Sequence, residues 1–507
     1  MTTVPSALRC SGCGYTAPPD DPYPFRCPNT GTDGADHVLV RVLDLAGTRF
    51  PAGTERNPFL RYRTLLHSYQ VALAHGMSDA GFCDLVSELD AAVARVDGHG
   101  FEVTPFFQSG QPGGVQRAEP GRDQSAAPGR DQSAGPGGDK SAGPARDGLA
   151  GAWVKNETGN VSGSHKGRHL MGVLTHLTVM ERIGLSDPAA RPGLAIASCG
   201  NAALAAAVVA RAGGWRLAVF VPPDADENVL ERLRDLGSHV VSCPRQPGVA
   251  GDPAYLRLLA ELAAGALPFT TQGNENGLAI EGGLTLGYEL ATALAELPGG
   301  LDHLVVQVGG GALASAVMQG LTEAGQLGVL HRLPRIHTVQ TFGAHPLERA
   351  YHRVRASLLD AGQQDESRPV PVPGGTAPEG SELGGSRAGG DTPWAEAVRA
   401  AMAHASAHRA DYMWPWESEP KSVATGILDD ETYDWRAVVE GMLLTRGQPV
   451  VVSEELLVEA NSLGVAATGI KVDPTGSSGL AGLLALRRSG AAAPGEQAAI
   501  LFTGIQR

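Results

Sequence analysis

One lysine stands where an enzyme could hold a nucleophilic amine. Lys166 follows a polar, glycine-containing loop and precedes a segment, His169 to Ile183, with apolar residues at helical spacing. We therefore predict that Lys166 lies at the positively polarised N-terminus of a helix, where burial and nearby positive charge lower an amine's pKa. A free amine can attack an aldehyde and form a Schiff base. A surface lysine beside a turn would look similar, so the assignment depends on what surrounds it.

Two further loops have the order strand, tight turn, helix. Leu194 to Ala197 form a short apolar strand, which leads through Ser198-Cys199-Gly200-Asn201 into an alanine-rich helix, Ala202 to Ala212. Leu304 to Val308 lead in the same way through Gly309-Gly310-Gly311 into a helix from Ala312 to Leu321. Each turn presents unpaired backbone N–H groups at a helix N-terminus, which suits a phosphate or a carboxylate. The two turns predict a small anionic ligand with two binding ends.

A dinucleotide site is the alternative for the second turn. Gly309, Gly311 and Ala314 have the G-x-G-x-x-A spacing of the Rossmann fingerprint. That site needs an acidic residue after the next strand to hold the ribose, and the strand from Ile336 to Thr341 ends without one. The pattern therefore disfavours a dehydrogenase.

The lysine, asparagine and glycine loops, in this order, resemble the fold-type II pyridoxal-phosphate enzymes. Within that tryptophan synthase β-like family, the sequence is most similar to threonine synthase-like proteins. The matching segments reach from about Thr104 to the end of the chain: Lys155-Asn156-Glu157, Gly163 to Arg168, Ala197 to Asn201, Glu281 to Glu289, Val308 to Leu313, Asp473 to Gly479 and Leu501 to Gly504.

The resemblance implies a role for each loop. Lys166 would form the Schiff base with pyridoxal 5′-phosphate and later remove the substrate's α-proton, and Asn201 would bind the cofactor's 3′-oxygen. The substrate carboxylate would be held by the backbone of Ser198, Cys199, Gly200 and Ala202. The cofactor phosphate would be held by Gly309, Gly310, Gly311 and Ala312.

A hydroxyl group would face the pyridine nitrogen of the cofactor. Thr503 is one candidate, and Ser477 and Ser478 are the others, although both serines could instead cap the helix from Leu480 to Leu486. Unlike a carboxylate, a hydroxyl does not keep the ring nitrogen protonated. The cofactor is then a weaker electron sink, which suits elimination and replacement.

The implied activity is that of a pyridoxal-phosphate-dependent lyase or synthase acting on a small amino acid. It would abstract the α-proton and then eliminate or replace a β- or γ-substituent, as threonine synthase-like enzymes do. The alternatives are a serine/threonine dehydratase or β-replacement synthase on the same fold, and a non-catalytic homologue that binds the cofactor. The intact Lys166 argues against the last.

The sequence departs from the family where substrate recognition is concerned. Threonine synthases usually carry aspartate and glycine around the arginine after the lysine, and Gly167 and His169 stand there instead. The cations available for a substrate phosphate are Lys155, His165 and Arg168, each of which could be structural. Asp429 or Asp430 could recognise a substrate amine or hydroxyl, or could belong to a helix-start loop.

Three cysteines near the N-terminus suggest a metal site. Cys10 and Cys13 form a C-x-x-C knuckle, and Cys27 resembles the remnant of a second one, with His37 as a possible fourth ligand. Threonine synthase-like chains often begin with a similar zinc ribbon. The site could therefore hold a structural zinc ion, or be open or lost.

Alternating strands and helices predict an α/β protein with two open, mostly parallel domains and the cofactor in the cleft between them. A small zinc-ribbon-like segment would precede them. The predicted division is a degenerate ribbon at 1–40, the first part of the large domain at 41–107, a disordered octapeptide-repeat insert at 108–150, the lysine segment and small domain at 151–298, and the large domain at 299–507, with a mobile loop at 362–392.

The composition of the chain limits its cellular compartment and the classes of partner it could have. The 507-residue chain has a net charge of −14, which argues against nucleic acid as a partner, and it has neither a long apolar run nor a signal-peptide layout. Six scattered cysteines in so long a chain point to a reducing compartment. We expect a cytoplasmic enzyme with a small amino-acid substrate and no membrane partner, assembled as a homo-oligomer, most simply a dimer.

Overall fold

The computed structural model describes residues 4–110, 149, 151–246, 248–249, 251–363 and 392–507. Its strands are β1 (Ser6–Cys10), β2 (Leu39–Leu43), β3 (Phe106–Gln108), β4 (Trp153–Asn156), β5 (Leu194–Ala197), β6 (Leu217–Val221), β7 (His239–Ser242), β8 (Leu267–Pro268), β9 (His303–Gln307), β10 (Arg335–Thr341), β11 (Pro449–Val452) and β12 (Ala498–Phe502).

The α-helices in these ranges are α1 (Pro58–Arg61), α2 (His67–Ala74), α3 (Asp79–Asp97), α4 (Lys166–Arg182), α5 (Asn201–Ala212), α6 (Glu227–Asp235), α7 (Pro253–Ala263), α8 (Ala279–Ala295), α9 (Ala312–Gln326), α10 (Pro346–Asp360), α11 (Pro393–Ala407), α12 (Arg409–Tyr412), α13 (Trp435–Thr445), α14 (Glu454–Thr468) and α15 (Ser478–Arg488). None of the helices in the described part of the chain has both the length and the apolar character that a membrane span requires.

The larger sheet has six strands in the order β11-β10-β9-β12-β4-β3. All neighbours are parallel except β3, which runs antiparallel to β4 at the edge. Every residue of β9 and β12 is buried, as expected for central strands covered on both faces. Because the parallel strands end at the same edge, the loops after β4, β9 and β12 lie together there.

The smaller sheet has four parallel strands in the order β7-β6-β5-β8, connected by α5, α6 and α7. Together the two sheets confirm the predicted α/β class with mostly parallel strands. The turn that follows β5 begins at Ser198, so the predicted asparagine loop lies at the carboxyl edge of this sheet.

The first strand of the lysine segment belongs to the larger sheet. β4 pairs with β12, so the smaller sheet draws its strands only from residues 194–268 of the predicted 151–298 segment. The insert is bracketed by β3 and β4, the antiparallel pair at the sheet edge. Residues 111–148, with the octapeptide repeat, and residues 364–391 of the second predicted loop lie outside the described residues. The domain division itself stays a prediction.

The N-terminal segment is an antiparallel hairpin of β1 and β2 that packs on α8 and α9. The buried Arg41 guanidinium donates at 2.6 Å to the Glu323 carboxylate on α9 and at 3.0 Å to the Tyr288 hydroxyl on α8. This contact joins the segment to α8 and to α9, the helix that follows the glycine loop.

Candidate active site

The predicted loops meet in one cavity of about 600 Å³. Its walls come from the start of α4 and from the loops after β5, β9 and β12. All the residues predicted to bind a cofactor or a substrate line it, namely Lys166, Ser198, Cys199, Gly200, Asn201, Ala202, Gly309, Gly310, Gly311, Ala312 and Thr503. The larger of the two sheets and the smaller one therefore both contribute to the site.

Lys166 is the first residue of α4, as the helical spacing predicted. Its Nζ donates to the Thr271 hydroxyl at 3.3 Å. Burial lowers the pKa of Lys166 below its ordinary value, and the carboxylates of Asp429 and Asp434 oppose that shift. The loop before the lysine is tied to the end of β12, because the His165 N–H donates to the Thr503 carbonyl at 3.2 Å.

A buried ion-pair network lies on the other side of the lysine loop. Arg168 donates to Glu157 at 2.8 Å and to Glu289 at 2.6 Å, and Lys155 donates to Glu289 at 2.5 Å. Thr104 completes the network, since its hydroxyl donates to Glu157 and its carbonyl accepts from Lys155 at 2.7 Å. Two cations thus face two carboxylates, and all four side chains are at most 2% exposed.

This network corrects the expectation that Lys155 and Arg168 are available for a substrate phosphate, because neither residue lines the cavity and both are paired. His165 does line it, but burial and the nearby Lys166 hold its pKa well below the ordinary value, so the ring is neutral. The motifs around Glu157 and Glu289 position α4 and with it Lys166. The positions of these charged residues along the chain gave no indication that they would pair.

The glycine loop is packed closely against the segment 426–434. A side chain at Gly309 would collide with the Asp429 carboxylate and lie 3.0 Å from the Ile427 Cα. Gly311 has a φ of 100°, a conformation that favours glycine. The N–H groups of the first turn of α9 have no acceptor within the helix and face the loop.

The asparagine loop begins α5, with Asn201 as its first residue. The Asn201 amide nitrogen lies 3.5 Å from Asp473 Oδ2, and its oxygen accepts a hydrogen bond from Arg507. Arg507 also donates to the Ser162 carbonyl at 2.6 Å. Sequence reasoning missed Arg507, because nothing in its immediate neighbours marks a contact with a loop that lies 306 residues away.

The hydroxyl candidates for the ring nitrogen differ in their surroundings. Thr503 follows β12 directly and lines the cavity. The Ser477 hydroxyl donates to the Asp473 carbonyl at 3.0 Å, and the Ser478 hydroxyl donates to the Pro474 carbonyl at 2.8 Å. Ser477 occupies the N-cap position of α15, but its side chain makes no capping hydrogen bond.

Two carboxyl groups on the segment that follows the short 3₁₀ helix Thr425–Ile427 act on the site. Asp429 lines the cavity, and burial raises its pKa to about 6. Burial also raises the pKa of Asp434 to about 7, and the Asp434 Oδ2 atom is buried without a hydrogen-bond partner among the described residues. Of the two aspartates predicted here, Asp429 rather than Asp430 lies on the cavity wall.

The N-terminal cysteines and His37 converge at a separate place. The ligand atoms of Cys10, Cys13, Cys27 and His37 all lie within 4.8 Å of one another. His37 Nδ1 is 3.5 Å from Cys10 Sγ and 3.6 Å from Cys27 Sγ, and the Cys13 and Cys27 sulfurs are 3.6 Å apart. The folded chain thus brings the predicted knuckle, its remnant and the histidine together.

Comparisons with known proteins agree with this geometry. The sequence model described as "Pyridoxal-phosphate dependent enzyme" matches residues 144–388. The threonine synthase of Mycobacterium tuberculosis is 24% identical over 308 residues, which cover 61% of this chain and 66% of that protein. The chain thus matches just under two thirds of that relative's length.

Two other relatives are similar over different extents. The human L-serine dehydratase/L-threonine deaminase is 33% identical over 158 residues, 30% of this chain and 43% of that one. The solved structure of the processed threonine deaminase isoform 2 from Solanum lycopersicum shares the fold, with 14% identity, a TM-score of 0.51, and coverage of 85% of this chain and 86% of that one. The resemblance predicted from the motifs is confirmed, and the dinucleotide alternative falls away. Over residues 144–388 in sequence, and over most of the chain in fold, this protein is similar to the fold-type II pyridoxal-phosphate-dependent enzymes.

Proposed function

We propose that this protein is a lyase or synthase that removes the α-proton of a small amino acid and then eliminates or replaces a β- or γ-substituent. The observation that carries the proposal is the single cavity that Lys166, the asparagine loop, the glycine loop and Thr503 line together. Threonine synthase-like chemistry and serine/threonine dehydration are both included in this class.

The cavity residues fit pyridoxal 5′-phosphate. Among the described residues, the only hydrogen bond of the Thr503 hydroxyl comes from an amide N–H, so its own proton is free for a ligand in the cavity. A volume of about 600 Å³ is within the range of small-molecule and cofactor sites. The glycine loop would hold the phosphate, Lys166 the aldehyde carbon, Asn201 the 3′-oxygen and Thr503 the ring nitrogen.

The Asp429 carboxyl group against the glycine loop is compatible with that assignment only in its protonated form. Its raised pKa of about 6 means that the carboxyl group is mostly neutral below about pH 6 and takes up a proton easily just above it. A bound phosphate would raise the pKa further, because like charges disfavour ionisation. A neutral carboxyl group could then donate a hydrogen bond to a phosphate oxygen.

The bound cofactor would supply an aldehyde that condenses with amines and a conjugated ring that stabilises negative charge at the α-carbon. The chain's own residues would orient the substrate and move its protons. The N–H groups of Ser198 to Ala202 would hold the substrate carboxylate at the start of α5. Lys166 Nζ, whose pKa is lowered by burial, would accept the α-proton as a free amine.

A dehydratase is the second candidate, and the charges of the cavity favour it over a phosphate-releasing synthase. Lys155 and Arg168 are paired away from the cavity, and His165 is neutral. Besides His165, the basic side chains among the described residues that line the cavity are Lys166, which would hold the cofactor, and Arg507, which is bound to Asn201 and Ser162. A substrate whose leaving group is an uncharged hydroxyl that departs as water once protonated, such as serine or threonine, suits this lining better than O-phosphohomoserine.

The test is the visible absorbance of the purified protein with pyridoxal phosphate. The wild type should bind the cofactor and turn yellow, and Lys166→Ala should lose or change that band. Lys421→Ala removes a surface lysine and should leave the band unchanged. A colourless wild-type protein that takes up no cofactor would refute the proposal.

Adding amino acids to the yellow protein separates the candidates. Serine, threonine and O-phosphohomoserine should be compared, with keto-acid, ammonia and inorganic phosphate as the products measured. Keto-acid and ammonia from serine or threonine would support the dehydratase, and phosphate release would support the synthase. A cofactor band that responds to no amino acid would support a non-catalytic homologue.

We also propose that Cys10, Cys13, Cys27 and His37 hold one structural zinc ion. Ligands about 2.3 Å (sulfur) and 2.1 Å (nitrogen) from a tetrahedral zinc ion lie about 3.6–3.8 Å from one another, close to the 3.5–3.6 Å separations observed. The other ring nitrogen of His37 lies 2.8 Å from Asp33 Oδ1, an arrangement that leaves Nδ1 free to bind metal.

Metal analysis of the purified protein tests this site. One zinc ion per chain is expected, and Cys27→Ser and His37→Ala should both lose it. Cys83→Ser removes a cysteine outside the cluster and should keep it. Retention of zinc by Cys27→Ser would contradict the ligand set.

We further propose that the enzyme is a homodimer that works in the cytoplasm. None of the six cysteines, all of which lie among the described residues, forms a disulfide, which fits a reducing compartment. Exposed apolar side chains, above all Phe342 at 63% exposure, offer contacts for a second copy. Light scattering after size-exclusion chromatography should give twice the 52.4 kDa chain mass, and a monomer mass would contradict the assembly.

A further inference from the structure

The amide group of Gln307 is the immediate neighbour of the Thr503 hydroxyl. Gln307 is the last residue of β9 and is 4% exposed. Its Nε2 donates to Thr503 Oγ1 at 2.7 Å and to the Gly476 carbonyl at 2.8 Å. The carbonyls of Leu501 and Thr475 lie further away, at 3.3 and 3.4 Å.

The orientation of this amide follows from its surroundings. Three backbone carbonyls can only accept hydrogen bonds, so the NH₂ end must face them and the oxygen end must face the other way. The oxygen lies 3.1 Å from the point where a side chain on Gly479 would begin, so glycine at this position leaves room for it. Rotating the amide by 180° would bring its oxygen against three carbonyl oxygens.

The direction of the Thr503 proton follows in turn. An NH₂ group cannot accept, so the hydroxyl oxygen accepts from Gln307 and its own proton points elsewhere. Thr503 and Gln307 both line the cavity, and the amide is the hydroxyl's only hydrogen-bond partner in the described part of the chain. Thr503 is therefore held as a donor toward whatever occupies the cavity.

We propose that Gln307 is a positioning residue that, through Thr503, keeps the ring nitrogen of the bound cofactor unprotonated. This inference rests on the proposed function, which sets the ring nitrogen beside Thr503. A hydroxyl that is free to rotate can accept from a protonated ring nitrogen or donate to a neutral one. With its proton directed into the cavity, it donates, and only the neutral nitrogen accepts. Gln307 thus favours the weaker electron sink that suits elimination.

The experiment uses enzyme reconstituted with ¹⁵N-labelled pyridoxal phosphate, and the ¹⁵N chemical shift of the ring nitrogen is followed against pH. The wild type should show a neutral ring nitrogen through the neutral range. Gln307→Met, which keeps the length of the side chain and removes the NH₂ group, should raise the apparent pKa of the ring nitrogen by about one unit, a tenfold change in its protonation ratio. Thr503→Ser keeps the hydroxyl and should behave as the wild type.

A double variant separates positioning from a general structural role. Gln307→Met in a Thr503→Val background should add no shift, because the hydroxyl through which Gln307 acts is gone. A second shift of the same size in that background would overturn the proposal. The proposal would also be overturned if Gln307→Met left the apparent pKa of the ring nitrogen unchanged while Thr503→Val altered it.

Gly479→Ala tests the same idea more gently if Gln307→Met does not fold. The added methyl group lies 3.1 Å from the Gln307 amide oxygen and must push the amide aside by a few tenths of an ångström. A smaller shift in the same direction is expected, and an unchanged ring nitrogen would overturn the proposal. A protein that binds no cofactor at all would instead refute the proposed function, so the two failures are distinguishable.

Discussion

The buried network behind the lysine loop should be sensitive to the loss of one charge. Glu289→Gln keeps the size of the side chain but leaves two cations facing the single carboxylate of Glu157. Lys155 would then retain the Thr104 carbonyl as its acceptor at 2.7 Å. Breaking a buried ion pair from one side typically costs about 3–5 kcal/mol of stability.

The loss of stability caused by Glu289→Gln has an upper limit, and that limit depends on pH. Burial already lowers the pKa of Lys155, and in the variant Lys155 can lose its proton instead of staying as an unpaired buried charge. Neutralising a lysine at about pH 7.5 costs about 4 kcal/mol, and this falls by about 1.4 kcal/mol for each pH unit toward its ordinary pKa of about 10.4. The destabilisation should therefore shrink as pH rises.

Urea unfolding of the protein without cofactor, followed by tryptophan fluorescence at about pH 7.5 and about pH 9.5, measures both effects. Glu296→Gln is the matched control, because Glu296 is exposed at the end of the same helix and its loss should change stability by less than about 0.5 kcal/mol. If Glu289→Gln costs less than about 1 kcal/mol, or if its cost is the same at both pH values, the reasoning about buried charge is wrong.

Three further predictions concern pH and the glycine loop. Burial lowers the pKa of His67, His169 and His337 to about 3 and that of His176 to about 4. Below about pH 6.5 each of them binds a proton on unfolding, so the free energy of unfolding should decrease as pH falls, by up to about 1.4 kcal/mol per pH unit for each histidine. A urea midpoint that does not change between about pH 7 and about pH 5 would contradict this. Asp429→Asn should bind pyridoxal phosphate about tenfold more tightly than the wild type at about pH 8, because the Asp429 carboxylate is charged there and must take up a proton before the phosphate can bind beside it; weaker binding in a fluorescence titration would contradict the assignment. Gly309→Ala should lose cofactor binding because its methyl group collides with Asp429, whereas Gly193→Ala, which meets open space, should bind normally; equal affinities would show that the loop is not the phosphate site.

Local patterns along the chain were sufficient to predict these helices and strands and the loops of the candidate site. The apolar spacing after Lys166 predicted a helix that does begin at that residue, and the strand predicted at Leu194 to Ala197 has those bounds in the structure. Glycine and asparagine turns between a strand and a helix are short-range features, so neighbouring residues alone specify them. The family resemblance followed from the order of these loops.

The partners of the buried polar groups could be assigned only from the folded chain. Arg168 and Lys155 meet Glu289 across more than a hundred residues, and Gln307 reaches Thr503 from a different strand. The proposed assignment of Thr503 rather than Ser477 likewise depends on which hydroxyl proton is already donated to a backbone carbonyl, as that of Ser477 is. Residue types and spacing determined which groups this protein carries and the elements that hold them. Tertiary structure decided which charges cancel and which remain at the cavity, because hydrogen bonding and burial depend on distances in space that no short stretch of sequence encodes.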